Sequence, residues 1–359
     1  MLYKEDWDKS KERLTALWEN EIVDRCCVSV IAPKKGSQWK FGPMPDSQDE
    51  LFRFYMDGER ILERETKKFE NMYFGGDGFP IVWTNFGTAG HAKYFKGSSF
   101  KFAKDTVWFK PVIEDWEKDR LVFDPEAEIL KMEYETMRFL SEQGKGKFFV
   151  SMPDNCGVLD ALAHLRGTDN LLFDLIEEAD NVKASAAAIQ EALKEASLKQ
   201  FDIIRENNDN GSTHGWMMTW SKGRHMQLQV DFSVMISPEM YGEFAIPELE
   251  FMTEWLDNSI YHLDGQEQIR HLDKILSLKR LNMIQWTPVA GQPPTSDFIP
   301  VLQRIQKAGK GLVLIPKKNE IEKLLTGLSS RGLILVVNDA EDEDEARAIV
   351  KRVAELTHE

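Results

Sequence analysis

The sequence predicts an α/β protein, a (β/α)8 TIM barrel with an N-terminal extension and inserted loops and helices, on three observations. Short apolar runs alternate with longer segments of helical period, as expected of a parallel sheet built from βα units. A chain of 359 residues with 42% hydrophobic content suits an elaborated barrel with a large core. Polar side chains recur at or just past the C-terminal ends of the apolar runs, which in such a barrel converge on one mouth.

Eight runs read as strands, in chain order: 27–32, 71–74, 147–152, 226–231, 259–264, 282–286, 311–315 and 332–337. Most end in turn-forming residues: Pro33 after the first, Gly75 to Gly78 around Asp77 after the second, Pro153 after the third, Gly265 after the fifth. Helical segments separate them. Ile129, Met132, Met137 and Leu140 share one face of a helix after Pro125. Ser237, Pro238 and Glu239 form a helix start, with a hydroxyl cap, proline in the first turn and an acid favoured by the helix dipole. That helix should run to about Leu256. Ala346, Ile349, Val350 and Val353 mark a last helix, opened by the acidic run from Asp339 to Glu345. No linker divides the chain, so 1–359 is expected to form a single domain. Segments 79–125 and 157–225 exceed the minimal repeat and read as insertions of the kind that wall a barrel mouth.

Charge and motifs exclude several classes of function. Forty-five basic against 60 acidic residues give a net charge of −15, which argues against a nucleic-acid partner. No apolar stretch approaches the roughly 20 residues of a membrane span, and the charged start of the chain lacks a signal-peptide core. Three cysteines, two of them adjacent, make no disulfide framework or CxxC motif, so a reducing cytoplasm is expected. The glycine clusters fit neither a dinucleotide-binding nor a Walker loop, and no GxSxG or HExxH is present.

The candidate site residues follow from position: Asp77, Asp154, Asn155, Asp231, His262, Asp264, Gln285, Trp286, Lys317 and Asn338 all lie at strand ends. His262 and Asp264 are the sharpest pair, since alternate strand residues share a face. They would bind a metal, act as an acid/base couple, or hydrogen-bond as a buried pair. Asp77, between glycines, would hold a cation or simply close its own turn. Trp216 and Trp286 would wall a flat or methylated ligand, unless they are ordinary core, and His214 lies beside Trp216 in sequence. Gln285 supplies a hydrogen-bonding point.

Three segments carry a family resemblance. Gln229 to Pro247 contains an acid-ended fourth strand at Asp231, then Ser237-Pro238 with Tyr241 three residues on, and a proline ten residues after Ser237. Tyr261 to Gly265 reads as an HxDG fifth strand, and Asn71 to Asp77 as a second strand ending in an aspartate. With the neighbourhood of Trp18, Asp24 and Arg25, these resemble the uroporphyrinogen decarboxylase and methylcobamide methyltransferase superfamily over roughly residues 15 to 359. The resemblance implies one of two chemistries. In the decarboxylases of tetrapyrrole biosynthesis, which are cofactor-free lyases, the second-strand aspartate binds pyrrole N–H groups, the role that would fall to Asp77. Those enzymes carry an RQAGR-type arginine cluster; this chain has Ala32 to Gly36 with Lys34 and Lys35 and no arginine. They also carry a histidine after the eighth strand, where this chain has Asn338. In the methyltransferases, zinc held by HxC and a distant cysteine activates a thiol that accepts methyl from a corrinoid protein. Here His262 matches the histidine, Asp264 replaces the cysteine, and Asn338 lies near the place of the second one. The resulting expectation is a corrinoid-linked, methyltransferase-like enzyme acting on a small methylated substrate. His262, Asp264, Asp77 and Asp231 would be catalytic, with a metal on His262 and Asp264 and a corrinoid protein as partner. The alternatives are a decarboxylase-type lyase and a non-catalytic tetrapyrrole- or corrinoid-binding barrel. The resemblance also permits a homodimer.

Overall fold

The structure, a computed structural model, describes residues 1–359. Its strands are β1 (Cys27–Pro33), β2 (Met72–Gly76), β3 (Ile81–Val82), β4 (Ser99–Phe102), β5 (Val107–Lys110), β6 (Phe149–Val150), β7 (Gly211–His214), β8 (Thr219–Lys222), β9 (His225–Leu228), β10 (Asn258–Asp264), β11 (Met283–Thr287), β12 (Gly311–Leu314) and β13 (Leu333–Val337). Seven of them form one sheet in the order β2-β1-β13-β12-β11-β10-β9, parallel throughout except for β2 against β1. β3 and β6 pair parallel in a second, small sheet, while β4–β5 and β7–β8 are hairpins. A single parallel bridge, Met152 to His214, links the strand end of β6 to the β7–β8 hairpin. The architecture is thus mixed α/β with a mostly parallel central sheet.

The expected closed ring of eight strands is not what the hydrogen bonds draw, and β2 supplies the reason. It runs antiparallel along β1, with Met72 opposite Pro33 and Gly76 opposite Ser29, and so occupies the edge of β1 that β3 would need. A side chain at Gly76 would put its Cβ 2.1 Å from the carbonyl oxygen of Val28, and its φ is +61°. Glycine is therefore required for the chain to turn against β1. The run at 71–74 is a strand, but an antiparallel one. The second member of the parallel set is the two-residue β3, inside the stretch read as an insertion.

The core separates into two layers by strand alternation. One face of the sheet packs on helices through Val28, Val30, Tyr261, Leu263, Ile284, Trp286 and Leu335. The other face forms a second cluster that gathers Cys27, Ile81, Phe149, Trp220, Ile260, Met283, Val313, Ile334 and Val336 from eight different strands. Strands buried on both faces read as unbroken apolar runs, which is why β12 and β13 are Gly-Leu-Val-Leu and Leu-Ile-Leu-Val-Val. The N-terminal helix Trp7–Trp18 closes this second cluster from the side of the strand N-termini. Its Trp7, Leu14 and Leu17 are buried, and Trp7 meets Phe79, Phe149 and Trp220 with ring centroids 4.9 to 5.7 Å apart.

The helix starts read from sequence are present. The Ser237 side chain accepts from the amide of Met240, and the helix runs on to Trp255 through a π-turn at Tyr241–Ala245, next to Pro247, which has no N–H to give. Asp342 caps the last helix, Glu343–Leu356, by accepting from the amide of Glu345. The helix after Pro125 spans Glu128–Gly144 and buries Ile129, Met137 and Leu140. No helix is long and apolar enough to cross a membrane.

Candidate functional site

β9 and β10 lie side by side, with Gln227 opposite Ile260 and Leu228 opposite Tyr261. Alternation from Ile260, which belongs to the inner cluster, puts His262 and Asp264 on the inner face. The same count on β9 puts Gln227, Gln229 and Asp231 there. Asp231 stands past the strand, at the start of the short helical turn Asp231–Met235. That turn is pinned by Asp160, whose carboxylate accepts from the amides of Gly157 (3.0 Å), Asp231 (3.0 Å) and Phe232 (2.7 Å). One donor atom each from Asp231, His262 and Asp264 lies within 4.8 Å of the other two. The sequence reading named these three residues, and the fold brings them together.

Two rows of side-chain amides hold this group. On β11, Gln285 lies opposite His262. Its Nε2 donates to the Trp286 carbonyl (2.9 Å) and to Thr287 Oγ1 (2.6 Å). A carbonyl can only accept, so Oε1 of Gln285 is the atom that faces His262, and His262 Nδ1 donates to it. The second ring nitrogen, Nε2, is left as an acceptor 3.9 Å from an Asp264 oxygen. On β9, Gln227 donates to Gln229, and Gln229 Nε2 donates to Asp231 Oδ2 at 2.8 Å. Oδ1 of Asp231 is shielded from solvent and has no hydrogen-bond partner.

The electrostatics are one-sided. Burial, reinforced by the charges of Asp160, Asp264 and Asp154, pushes the Asp231 carboxyl up to about 8. Burial alone takes Asp154 to about 6. Burial lowers His262 in spite of its bond to Gln285 and the nearby Asp264. At neutral pH the group therefore contains a neutral imidazole and an aspartic acid that keeps its proton, with no lysine or arginine bonded to any of its members. Trp216, half-buried, sets its ring edge-on to His262 with centroids 5.2 Å apart, and His214 meets Trp216 in the same way at 5.6 Å. His214 is fully buried, its two nitrogens lack partners, and burial lowers it to about 3.

Other predicted site residues lie elsewhere. Asp77 is at the opposite end of β1: it is fully buried, bonded through both oxygens to Arg25 (2.6 and 3.0 Å) and through one to Arg13 (3.2 Å), and accepts from the amide of Val28. The antiparallel course of β2 carries it there, so it does not share the site. Trp286 points to the helix side, fully buried against Phe298, and walls nothing at the site. Asn155 is buried against Gly90 with no side-chain partner. Lys317 and Asn338 are exposed beyond their strands and make no side-chain hydrogen bond. Conversely, Gln227, Gln229 and Thr287 escaped the sequence reading. Alternation carried their signal, since polar residues two apart on a buried strand must serve an inner polar face. Trp83, one residue past β3 and packed on Gly215 beside Trp216, had no such signal because β3 itself is too short to show a period.

The thiol-activating zinc implied by the family resemblance does not match this donor set. No cysteine belongs to the group, and Cys156, the nearest in sequence to its elements, is buried with its thiol pushed well up by burial and by surrounding acids. One imidazole and two carboxylates offer nitrogen and oxygen only.

Over 96% of this chain and 98% of the other, the structure is similar to that of a methyltransferase from Methanosarcina mazei, with a TM-score of 0.58 and 11% identical residues. At that identity the likeness is one of fold. No family model matches the chain, and no curated protein sequence does.

Proposed function

We propose that this protein is a methyltransferase-like enzyme of barrel architecture, related to the uroporphyrinogen decarboxylase and methylcobamide methyltransferase superfamily. It binds a small methylated substrate at the C-terminal ends of the parallel strands and passes the methyl group to or from a corrinoid carried by a partner protein. The observation that supports this most is the meeting of Asp231, His262 and Asp264 from two adjacent strands, with Trp216 against the imidazole. The inner cluster gathered from eight strands supports the barrel reading, and the fold likeness to a methyltransferase supports the class of chemistry.

In this reading Trp216 gives the methyl group an apolar wall. Asp231, protonated at neutral pH, hydrogen-bonds the heteroatom that loses the methyl and neutralises the charge developing on it. His262 and Asp264 orient that heteroatom, and Gln285 keeps the imidazole in one tautomer. Decarboxylation of uroporphyrinogen is the weaker reading. The aspartate that would bind the macrocycle, Asp77, is committed to Arg13 and Arg25, and the arginine cluster for an octa-acid is absent.

The test is methyl transfer from a panel of O-, N- and S-methylated compounds to a reduced corrinoid protein, using the parent chain, His262→Ala and Asp264→Ala. Loss of about 100-fold or more in rate in both variants is expected for acid/base and orienting groups. Full activity in both variants discards the site assignment. Conversion of uroporphyrinogen to coproporphyrinogen at enzymatic rates replaces the reading with the lyase. Ligand binding without turnover in any assay makes the chain a binding barrel.

A further inference from the structure

We propose that Asp231, His262 and Asp264 form a mononuclear binding site for a first-row divalent transition ion held only by nitrogen and oxygen. The inference goes beyond the methyl-transfer reading and does not depend on it, because binding is measured with no substrate or corrinoid present.

Three observations carry it. First, the donor atoms of the three side chains lie within 4.8 Å of one another, close to the spread that ligands at about 2.0–2.2 Å from one ion would show. Second, each element of the site presents a free donor fixed by an outer partner. His262 gives its Nδ1 proton to Gln285, which directs the Nε2 lone pair at the carboxylates, and Gln285 is anchored in turn on Trp286 and Thr287. Gln229 holds one oxygen of Asp231 and leaves the other, shielded from water, without a partner. An imidazole whose far nitrogen is bonded to a fixed acceptor, and a carboxylate held through one oxygen, are what metal sites use to aim their ligands. Third, the group has no compensating cation within the chain, whereas the other buried acids with ion-pair partners, Asp77 and Glu133, are met by Arg25 and Lys93 at 2.6 and 2.7 Å. An ion would supply that missing charge.

The donor set selects the kind of ion. Without thiolate it is poorly suited to soft ions, and with an imidazole it favours zinc, cobalt or manganese over magnesium or calcium, which take oxygen alone. Cys156 stays outside the set.

The experiment uses the full chain after chelator treatment and gel filtration, titrated with Zn2+ alone by calorimetry and with Co2+ alone by visible absorption. One ion per chain is expected, with Co2+ d–d bands and no thiolate charge-transfer band. Asp231→Asn should abolish stoichiometric binding while the fold, followed by circular dichroism, is retained. If it does not fold, His262→Gln serves the same purpose. Gln285→Leu, which removes only the outer partner, should weaken binding about 10- to 100-fold. Absence of stoichiometric binding to the parent chain overturns the proposal. So does binding unchanged in folded Asp231→Asn, which would put the ion elsewhere, and so does a thiolate band, which would bring Cys156 into the ligand set.

Discussion

Asp77 and Asp231 are both buried aspartates beside strands of the same sheet, and their surroundings are opposite. At the N-terminal ends of the strands, Asp77 meets two arginines and a backbone amide, and Arg13 passes the charge on to Asp24 through bonds of 2.6 and 2.7 Å. At the C-terminal ends, Asp231 faces Asp264, with Asp154 and Asp160 close enough to raise its carboxyl, and has only an amide for company. One end is electrically complete and closed by the helix Trp7–Trp18. The other is built with like charges crowded together, which costs stability and persists only where something outside the chain makes use of it. A buried acid is therefore no indicator of function by itself. Whether its charge is answered within the fold separates a structural acid from a working one.

The same substitution at the two ends should consequently act in opposite directions. Asp77→Asn leaves Arg25 and Arg13 partly buried without their counter-ion, and a loss of about 3–5 kcal/mol in urea unfolding is expected. A loss below about 1 kcal/mol would mean that the pair is exchanged for solvent without penalty, and the comparison would fail at that end.

Asp231→Asn should stabilise. A carboxyl whose folded pKa of about 8 lies above its unfolded value near 4 costs nothing below about pH 4, where both states hold the proton. The cost grows as pH rises between the two values and is complete above about 8. The variant should thus gain on the order of 2–4 kcal/mol over the parent at pH 8 without added metal, and nothing at pH 4. Unfolding curves across that range check the sign as well as the size. Destabilisation at pH 8 would show that Asp231 is answered by a charge after all.

Asn338→Ala is the smallest expected change. The side chain is exposed and unbonded past β13, so stability should move by less than about 0.5 kcal/mol. Methyl transfer should be unaffected. A large rate effect would extend the working end across the sheet to β13.

Much of this was legible in the residues themselves. Apolar runs gave β1 and β10 to β13 within one or two positions, and the caps at Ser237 and Asp342 lay where the residues put them. His262 and Asp264 share a face because a strand alternates, and that rule needs no tertiary information. The pairing partner of a strand is a different matter. The run at 71–74 has the composition of a strand in either direction, and only the packing of Gly75 and Gly76 against β1 made it antiparallel and carried Asp77 to the far end. Trp286 was misjudged by one residue of alternation: Gln285 faces inward, so its neighbour must face the helices.

By itself, then, the chain determined which segments extend, which coil, and which polar residues share a strand face, because these follow from local sterics and from periods of two and 3.6 residues. The meeting of Asp231 with His262 and Asp264, the tautomer that Gln285 imposes, and the difference between an answered and an unanswered aspartate were decided only by the tertiary structure. They depend on contacts between residues far apart in sequence, whose geometry no local rule contains.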